Sequence, residues 1–236
     1  MSDRFDPILL SELIASHKQK IADLGVVIRY NESFEELEDK LPIDSKAALT
    51  PHFATALNTY TSANAFWLGG FDEDDQLVAL SAARLDDLGG QAMSEYLKRY
   101  WRRCYPAEDG DLAEASETQP RFWNEVRGRV AYYGDFHLKR EGYQGRGLPK
   151  VFGPLAMLVG AQKWDADWYY TWVRERDWSM RYPLAYGFSR TYFPGLRWVK
   201  PPSSIEPDLA AGVNSRSDVL DWMETLSRPG EQALNK

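Results

Sequence analysis

Apolar residues recur at helical spacing at the start of the chain. Ile8, Leu9, Leu13, Ile14 and Ile21 mark one face, and Gly25 supplies a stop, which predicts an N-terminal helix within residues 1–25. The β-branched run Val26-Val27-Ile28-Arg29-Tyr30 predicts a strand. Residues 33–40 open on Ser33 and carry acids in the first turn, the pattern of a helix start, and residues 47–60 are expected to be helical again. Ala65–Phe71 and Gln76–Leu85 flank the polar turn Asp72-Glu73-Asp74-Asp75 and read as a hairpin. Beyond Gly89-Gly90, residues 91–104 place Met93, Tyr96, Leu97, Tyr100, Trp101 and Cys104 on one side of an amphipathic helix. The acidic stretch 106–121 has no apolar period and reads as a surface loop.

Residues 129–139 predict a strand. Its two-residue period sets Tyr132, Gly134, Phe136 and Leu138 on one face and Tyr133, Asp135 and His137 on the other. A turn with three glycines follows, Gly142-Tyr143-Gln144-Gly145-Arg146-Gly147. Leu148, Val151, Phe152, Leu155, Leu158 and Val159 then repeat at helical spacing, which predicts a helix over 148–163. Pro149 suits its first turn, whereas Gly153-Pro154 predicts a kink. Trp168–Val173 is an aromatic strand, Arg174–Tyr186 a last helix stopped by Gly187, and Phe188–Val199 a final strand broken at Pro194-Gly195. The tail 200–236 is rich in Pro and Ser, weakly helical near 216–226, and expected to fray. No internal repeat or linker stands out, so a single domain over 1–236 is expected.

Composition narrows the function classes. With 44% hydrophobic and 27% charged residues over 236 positions, the chain buries a sizeable core without staples. No apolar run reaches the roughly 20 residues that span a bilayer, and the N-terminus lacks a cationic region followed by an apolar stretch. A cytoplasmic protein without membrane partner is therefore expected. Cys104 is the only cysteine, and His17, His52 and His137 show no ligand spacing, so no metal site is expected. A net charge of −7 argues against nucleic acid as a partner.

The glycine turn carries the most chemical information. Glycines at a helix start leave backbone N–H groups aimed outward, where they and the helix dipole suit a phosphate. A Walker A loop fails, because Leu148-Pro149 stand where Lys and Ser or Thr are required. A dinucleotide fingerprint fails at Lys150, which stands in place of its third glycine. The segment Gln144-Gly145-Arg146-Gly147-Leu148 instead resembles the pyrophosphate motif of the GNAT superfamily of acyl-CoA-dependent N-acyltransferases, Gln/Arg-x-x-Gly-x-Gly/Ala. Gln144 and Gly147 match, and Pro149 replaces the last small residue. The acidic hairpin before the motif, the strand after its helix and Gly187-Phe188 at the close of the next helix agree with the same family.

The resemblance covers residues 26–199. It implies a mixed, mostly antiparallel α/β sheet flanked by helices, with a helical N-terminal extension and an 86–128 insert between the third and fourth core strands. It implies direct attack of a small-molecule or peptide amine on an acyl-CoA, acetyl-CoA foremost. The phosphates would meet the amides of Gly145, Arg146, Gly147 and Leu148, with Gln144 in the motif and Lys150 as counter-charge. The family's splayed fourth strand maps its pantetheine-pairing edge onto Phe136, His137 and Leu138, through backbone groups. His137 and Asp135 are candidate bases, although His137 also suits a structural bond and Asp135 an ion pair with Arg129 or Lys139. Tyr182 is the candidate acid, one residue off the family's tyrosine position; Tyr186 adjoins the glycine. Two alternatives remain open: a binding module without transferase activity, and a transferase with a carrier-protein-bound acyl donor.

Overall fold

The computed structural model describes residues 4–43, 46–139, 141–143 and 145–228, except for the side chains of 101–103, which include the expected Trp101 contact. Helix α1 (Pro7–Ala22) starts at Asp6, whose carboxylate accepts from the Ile8 and Leu9 amides at 2.9 and 3.3 Å. It buries Leu10, Leu13, His17 and Ile21. Strand β1 (Val27–Asn31) follows, then helix α2 (Phe34–Glu38), capped by the Ser33 side chain on the Glu36 amide at 3.1 Å.

Residues 47–60, expected to be helical, form isolated turns instead. Pro51 has no N–H to give, Asn58 spends its side-chain amide on the Pro51 and Ala54 carbonyls, and the Thr50 amide is taken by a distant carboxylate described below.

Strands β2 (Ala65–Phe71) and β3 (Leu77–Asp87) form the expected hairpin, and helix α3 (Met93–Cys104) follows. Short strand β4 (Glu114–Ala115) and a 3-10 turn (Arg121–Asn124) lead to β5 (Arg129–Leu138), helix α4 (Pro149–Lys163) and β6 (Trp168–Arg174). Helix α4 is unbroken across Pro154. The expected helix 174–186 is two short ones, α5 (Glu175–Ser179) and α6 (Tyr182–Ala185), interrupted where Arg181 takes a φ of +60°. The expected last strand is likewise divided, into β7 (Arg190–Tyr192) and β8 (Trp198–Lys200). Strand β8 leaves the main sheet to pair with β4, and Lys200 bridges Asp109 and Asp111 at 2.7 and 2.8 Å, so part of the acidic loop is held down.

The tail differs most from expectation. Leu209–Ser215 is strand β9, buried at all but its last residue and inserted between β6 and β7; helix α7 (Arg216–Ser227) follows with a capping box at Ser215 and Asp218. The sheet therefore extends beyond residue 199. Small residues suit this position, since a Cβ on Gly212 would press on Phe188 and Thr171 at 3.0 Å.

The main sheet runs β1-β2-β3-β5-β6-β9-β7. Every neighbouring pair is antiparallel except β5 and β6. One face carries Phe66, Leu68, Tyr133 and Tyr169 against α1, α4 and α7. The other carries Trp67, Leu80, Tyr132 and Tyr170 against α2, α3 and the insert, with Trp123 at its centre. The shared face of Trp168, Tyr170 and Trp172 belongs to this second core, and Cys104 is buried in it.

Candidate active site

The parallel pair decides the geometry. Strands β5 and β6 pair from Val130↔Trp168 to Tyr133↔Thr171 and no further. Beyond that point β5 stays on β3 as far as Leu138↔Ala79, and β6 stays on β9 as far as Arg174↔Leu209. A V-shaped gap thus opens from Tyr133, where β5 and β6 no longer pair. Phe136, His137 and Leu138 lie on the edge of β5 that borders it.

A bulge sits at the mouth of the gap. Leu80 pairs with His137 but Ala82 pairs with Gly134, so Asp135 and Phe136 oppose a single residue of β3. Asp135 takes the left-handed φ of +48°. The extra residue reverses the expected alternation: Phe136 and Leu138 pack with the α4 core, on the face of Tyr133 rather than of Tyr132. Phe136 meets Phe152 and Tyr186 with ring centroids at 5.7 and 4.3 Å. His137, between two residues of that face, is half-buried on the opposite one.

The Asp135 side chain is wholly buried and engaged. It pairs with Lys46 and accepts from the Thr50 amide at 3.1 and 3.2 Å and from the Thr50 hydroxyl at 3.1 Å. Neither Arg129 nor Lys139 is its partner. This carboxylate anchors the 46–50 segment over the bulge, a connection across 85 positions that spacing cannot reveal.

The glycine turn leads from the end of β5 to α4. Gly142, Gly145 and Gly147 have φ of +78°, +76° and +81°, which only glycine adopts at little cost. The amides of Gly145, Gly147 and Leu148 donate to no acceptor among the described residues, whereas Arg146 donates to the Tyr143 carbonyl at 3.3 Å and Lys150 to that of Gly147 at 3.0 Å. Arg146 and Lys150 are exposed cations beside the open amides. Gln144 lies outside the described residues.

Tyr182 opens α6 and stacks on Tyr186 at 5.9 Å, nearly parallel at 4°. Tyr186 is the ring that reaches Phe136, and burial raises its pKa. A Cβ on Gly153 would sit 2.6 Å from the Tyr186 ring, so a glycine in α4 lets α6 approach. Tyr182 therefore lies on the α4 side of the sheet, while Asp135 and His137 face the other side. The three candidate catalytic side chains are not assembled in one cluster.

That other side holds polar residues the sequence reasoning passed over. Arg84, in the apolar run of β3, is 3% exposed. Its Nε donates to Asp86 at 3.1 Å, and its Nη1 donates to the His52 carbonyl at 2.8 Å and to the Tyr100 hydroxyl. Burial disfavours its charge, but Asp86, Tyr100 and Tyr96 outweigh that and hold the guanidinium well above its ordinary range. Tyr60, which donates to the same carbonyl at 2.5 Å, has its pKa pushed by burial up to about 12. These groups line a pocket of about 410 Å³ between β3, α3 and residues 57–64. The signal available beforehand was one charged residue at an inward position of Leu77–Leu85.

No family model matches the chain, and no curated protein matches it. Among solved structures it is similar to FeeM, an N-acyl amino acid synthase from uncultured soil microbes, at 14% identity and a TM-score of 0.44, over 84% of this chain and 92% of that one. It is similar to a GNAT superfamily phosphinothricin acetyltransferase from Sinorhizobium meliloti in complex with AcCoA, at 12% identity and a TM-score of 0.40, over 81% of this chain and 88% of that one. It is similar to the Drosophila melanogaster polyamine N acetyltransferase at 11% identity and a TM-score of 0.42, over 90% of this chain and 97% of that one. In its own topology the chain is a mixed, mostly antiparallel sheet flanked by helices, with an insert ahead of β5. Among the described residues, no group of three or more potential metal ligands gathers and no helix is long and apolar enough to cross a membrane.

Proposed function

We propose that this protein is an N-acyltransferase that moves an acyl group from acyl-CoA to a small primary amine. One observation carries the reading: the gap between β5 and β6 opens toward the same end of β5 as the open amides of Gly145, Gly147 and Leu148. A ligand with a pyrophosphate at one end and an extended amide-bearing arm at the other fits such a track. The phosphates take the amide donors and the positive end of α4, with Arg146 and Lys150 alongside. The arm runs along the edge of β5 beyond its last pair with β6, at Phe136, His137 and Leu138, which brings the thioester into the gap.

The chemistry asks little else of the chain. The amine attacks the thioester carbon directly, and edge amides of β5 stabilise the oxygen as charge develops on it. Asp135, paired with Lys46 and bonded by Thr50, holds the bulge in place. His137 is the side chain on this edge whose ordinary pKa suits proton removal near neutrality. The amine is expected to enter from the His137 face, where the Arg84 pocket lies.

Calorimetric titration with CoA, acetyl-CoA and a long-chain acyl-CoA tests the reading. Micromolar binding of at least one is expected. Gly147→Val removes an accessible left-handed conformation and puts a side chain into space that is open in this structure. It should weaken CoA binding at least ~30-fold, about 2 kcal/mol, with the far-ultraviolet dichroism unchanged. Undiminished affinity in folded Gly147→Val would remove the turn as the phosphate site.

A further inference from the structure

The Arg84 pocket is set back from the gap. Its strand residues Arg84, Leu85 and Asp86 lie opposite Tyr132, Ala131 and Val130, where β5 and β6 are still paired. The gap opens only beyond Tyr133. A buried guanidinium is costly unless it is paired and bonded. Asp86 supplies the opposite charge at Nε, and Nη2 reaches the Tyr96 hydroxyl at 3.5 Å, the longest of the Arg84 bonds. The Tyr96 and Tyr100 rings stack at 5.4 Å and 12° and give the pocket a flat wall. Leu57 and Tyr60 add apolar surface from the 57–64 segment. Two donors in this lining are left over. The Tyr96 hydroxyl accepts from Arg84 and donates to no described residue, and the exposed Arg99 pairs with no described carboxylate. Arg84 and Arg99 stand against Asp86 alone, so the lining carries an uncompensated positive charge. A cavity of about 410 Å³ with apolar walls and a few converging polar groups has the size and make-up of a small-molecule site.

We propose that this pocket binds a small monocarboxylate with a flat apolar body, at a site separate from the acyl gap. The carboxylate accepts from the Arg99 guanidinium and the Tyr96 hydroxyl, a charge-assisted pair of bonds that leaves no charge unmatched. The flat body lies against the Tyr96–Tyr100 wall, where ring stacking adds to the apolar area buried. Asp86 repels a second negative charge beside Arg84, which favours a monoanion over a phosphate dianion. Helix α3 contributes Tyr96 and Arg99 and strand β3 contributes Arg84, so the bound molecule ties α3 to the sheet. The site stands whether or not the gap takes acyl-CoA.

Phenylacetate is the probe, titrated into the full chain and followed by calorimetry. The parent should bind it with a Kd below ~1 mM. Phenylacetamide, of the same shape without the charge, should bind at least ~10-fold more weakly, and an equal concentration of inorganic phosphate should not displace phenylacetate. Arg99→Gln and Tyr96→Phe should each weaken phenylacetate at least ~5-fold. Arg99 is exposed and has no described partner, so the thermal midpoint of Arg99→Gln should match the parent's. Gly147→Val should bind phenylacetate as the parent does. No binding to the parent, equal affinity for phenylacetamide, or undiminished affinity in both Arg99→Gln and Tyr96→Phe overturns the carboxylate site. Binding lost in Gly147→Val places the carboxylate at the glycine turn and overturns it too. None of these results bears on the acyl-CoA reading, which fails separately if acetyl-CoA does not bind.

Discussion

Asp135 shows how one residue combines backbone strain, burial and charge. A non-glycine residue at φ +48° costs about 1 kcal/mol or more, and a buried carboxylate costs more unless it is paired. Lys46 and Thr50 supply the pairing, and in return they fix a segment that has no helix of its own. Asp135→Asn tolerates the same backbone and keeps one acceptor oxygen, so it isolates the charge. A loss of about 2 kcal/mol is expected from chemical denaturation, since hydrogen bonds to a charged group are worth ~1.5–3 kcal/mol. Lys46→Met should recover part of it in the double variant, because an unpaired buried ammonium is then no longer left behind. Strictly additive effects in that cycle would show that the two side chains do not interact. The candidates Asp135 and His137 were visible as polar residues in a strand, but the bulge that re-aims their neighbours was not. Ser81, Gly134, Asp135 and Phe136 carry no local mark of a register shift, which arises from the pairing of β5 with β3.

At the level of elements, close approach is set by glycines in α4. Gly160 faces β5, and a Cβ there would run into the Tyr133 hydroxyl; that hydroxyl donates to the Met157 carbonyl at 3.5 Å. Gly160→Ala should gain helix propensity of ~1 kcal/mol and lose more to overpacking, for a net destabilisation of about 1–2 kcal/mol. Tyr133→Phe in the same chain should restore much of the loss, a result read from paired thermal melts; no restoration would place the clash elsewhere. The elements themselves were largely legible. Helices α1 and α3, the β2–β3 hairpin, strand β5, the glycine turn, α4 and β6 follow from periodicity and punctuation, and the resemblance supplied their order. Three segments were not legible. Residues 47–60 look helical in composition, but Pro51 and competing side chains hold them as turns. Arg174–Tyr186 is divided at Arg181 by a backbone conformation that no residue type announces. Strand β9, with Ala210-Ala211-Gly212, lacks both alternation and β-branched weight, because it is covered on both faces and squeezed between β6 and β7.

Across the whole molecule, stability should depend on pH through α1. This helix closes one face of the sheet against α4 and α7, and its buried His17 bonds through Nδ1 to the Leu13 carbonyl at 2.8 Å. Burial lowers the His17 pKa below 6.5, with Lys20 one turn on acting in the same direction. In the unfolded chain the imidazole takes up its proton near 6.5; in the folded chain it does so only at lower pH. Between those two values the unfolded state binds more protons, so stability rises with pH across that window and is lost as pH falls through the folded value. Carboxylates stabilised by folding titrate beneath it; Glu32, held down by its bond from Lys163, lies below 4.5. The part of the slope just under 6.5 that His17→Gln removes therefore reports on His17, since His52 and His137 remain in both proteins. Urea midpoints should fall from pH 7.5 to pH 5.5 in the parent chain. His17→Gln, which keeps a donor near the Leu13 carbonyl and has no proton to gain, should flatten that slope. An equal slope in both proteins would assign the acid sensitivity to another group and leave His17 a neutral packing residue of α1.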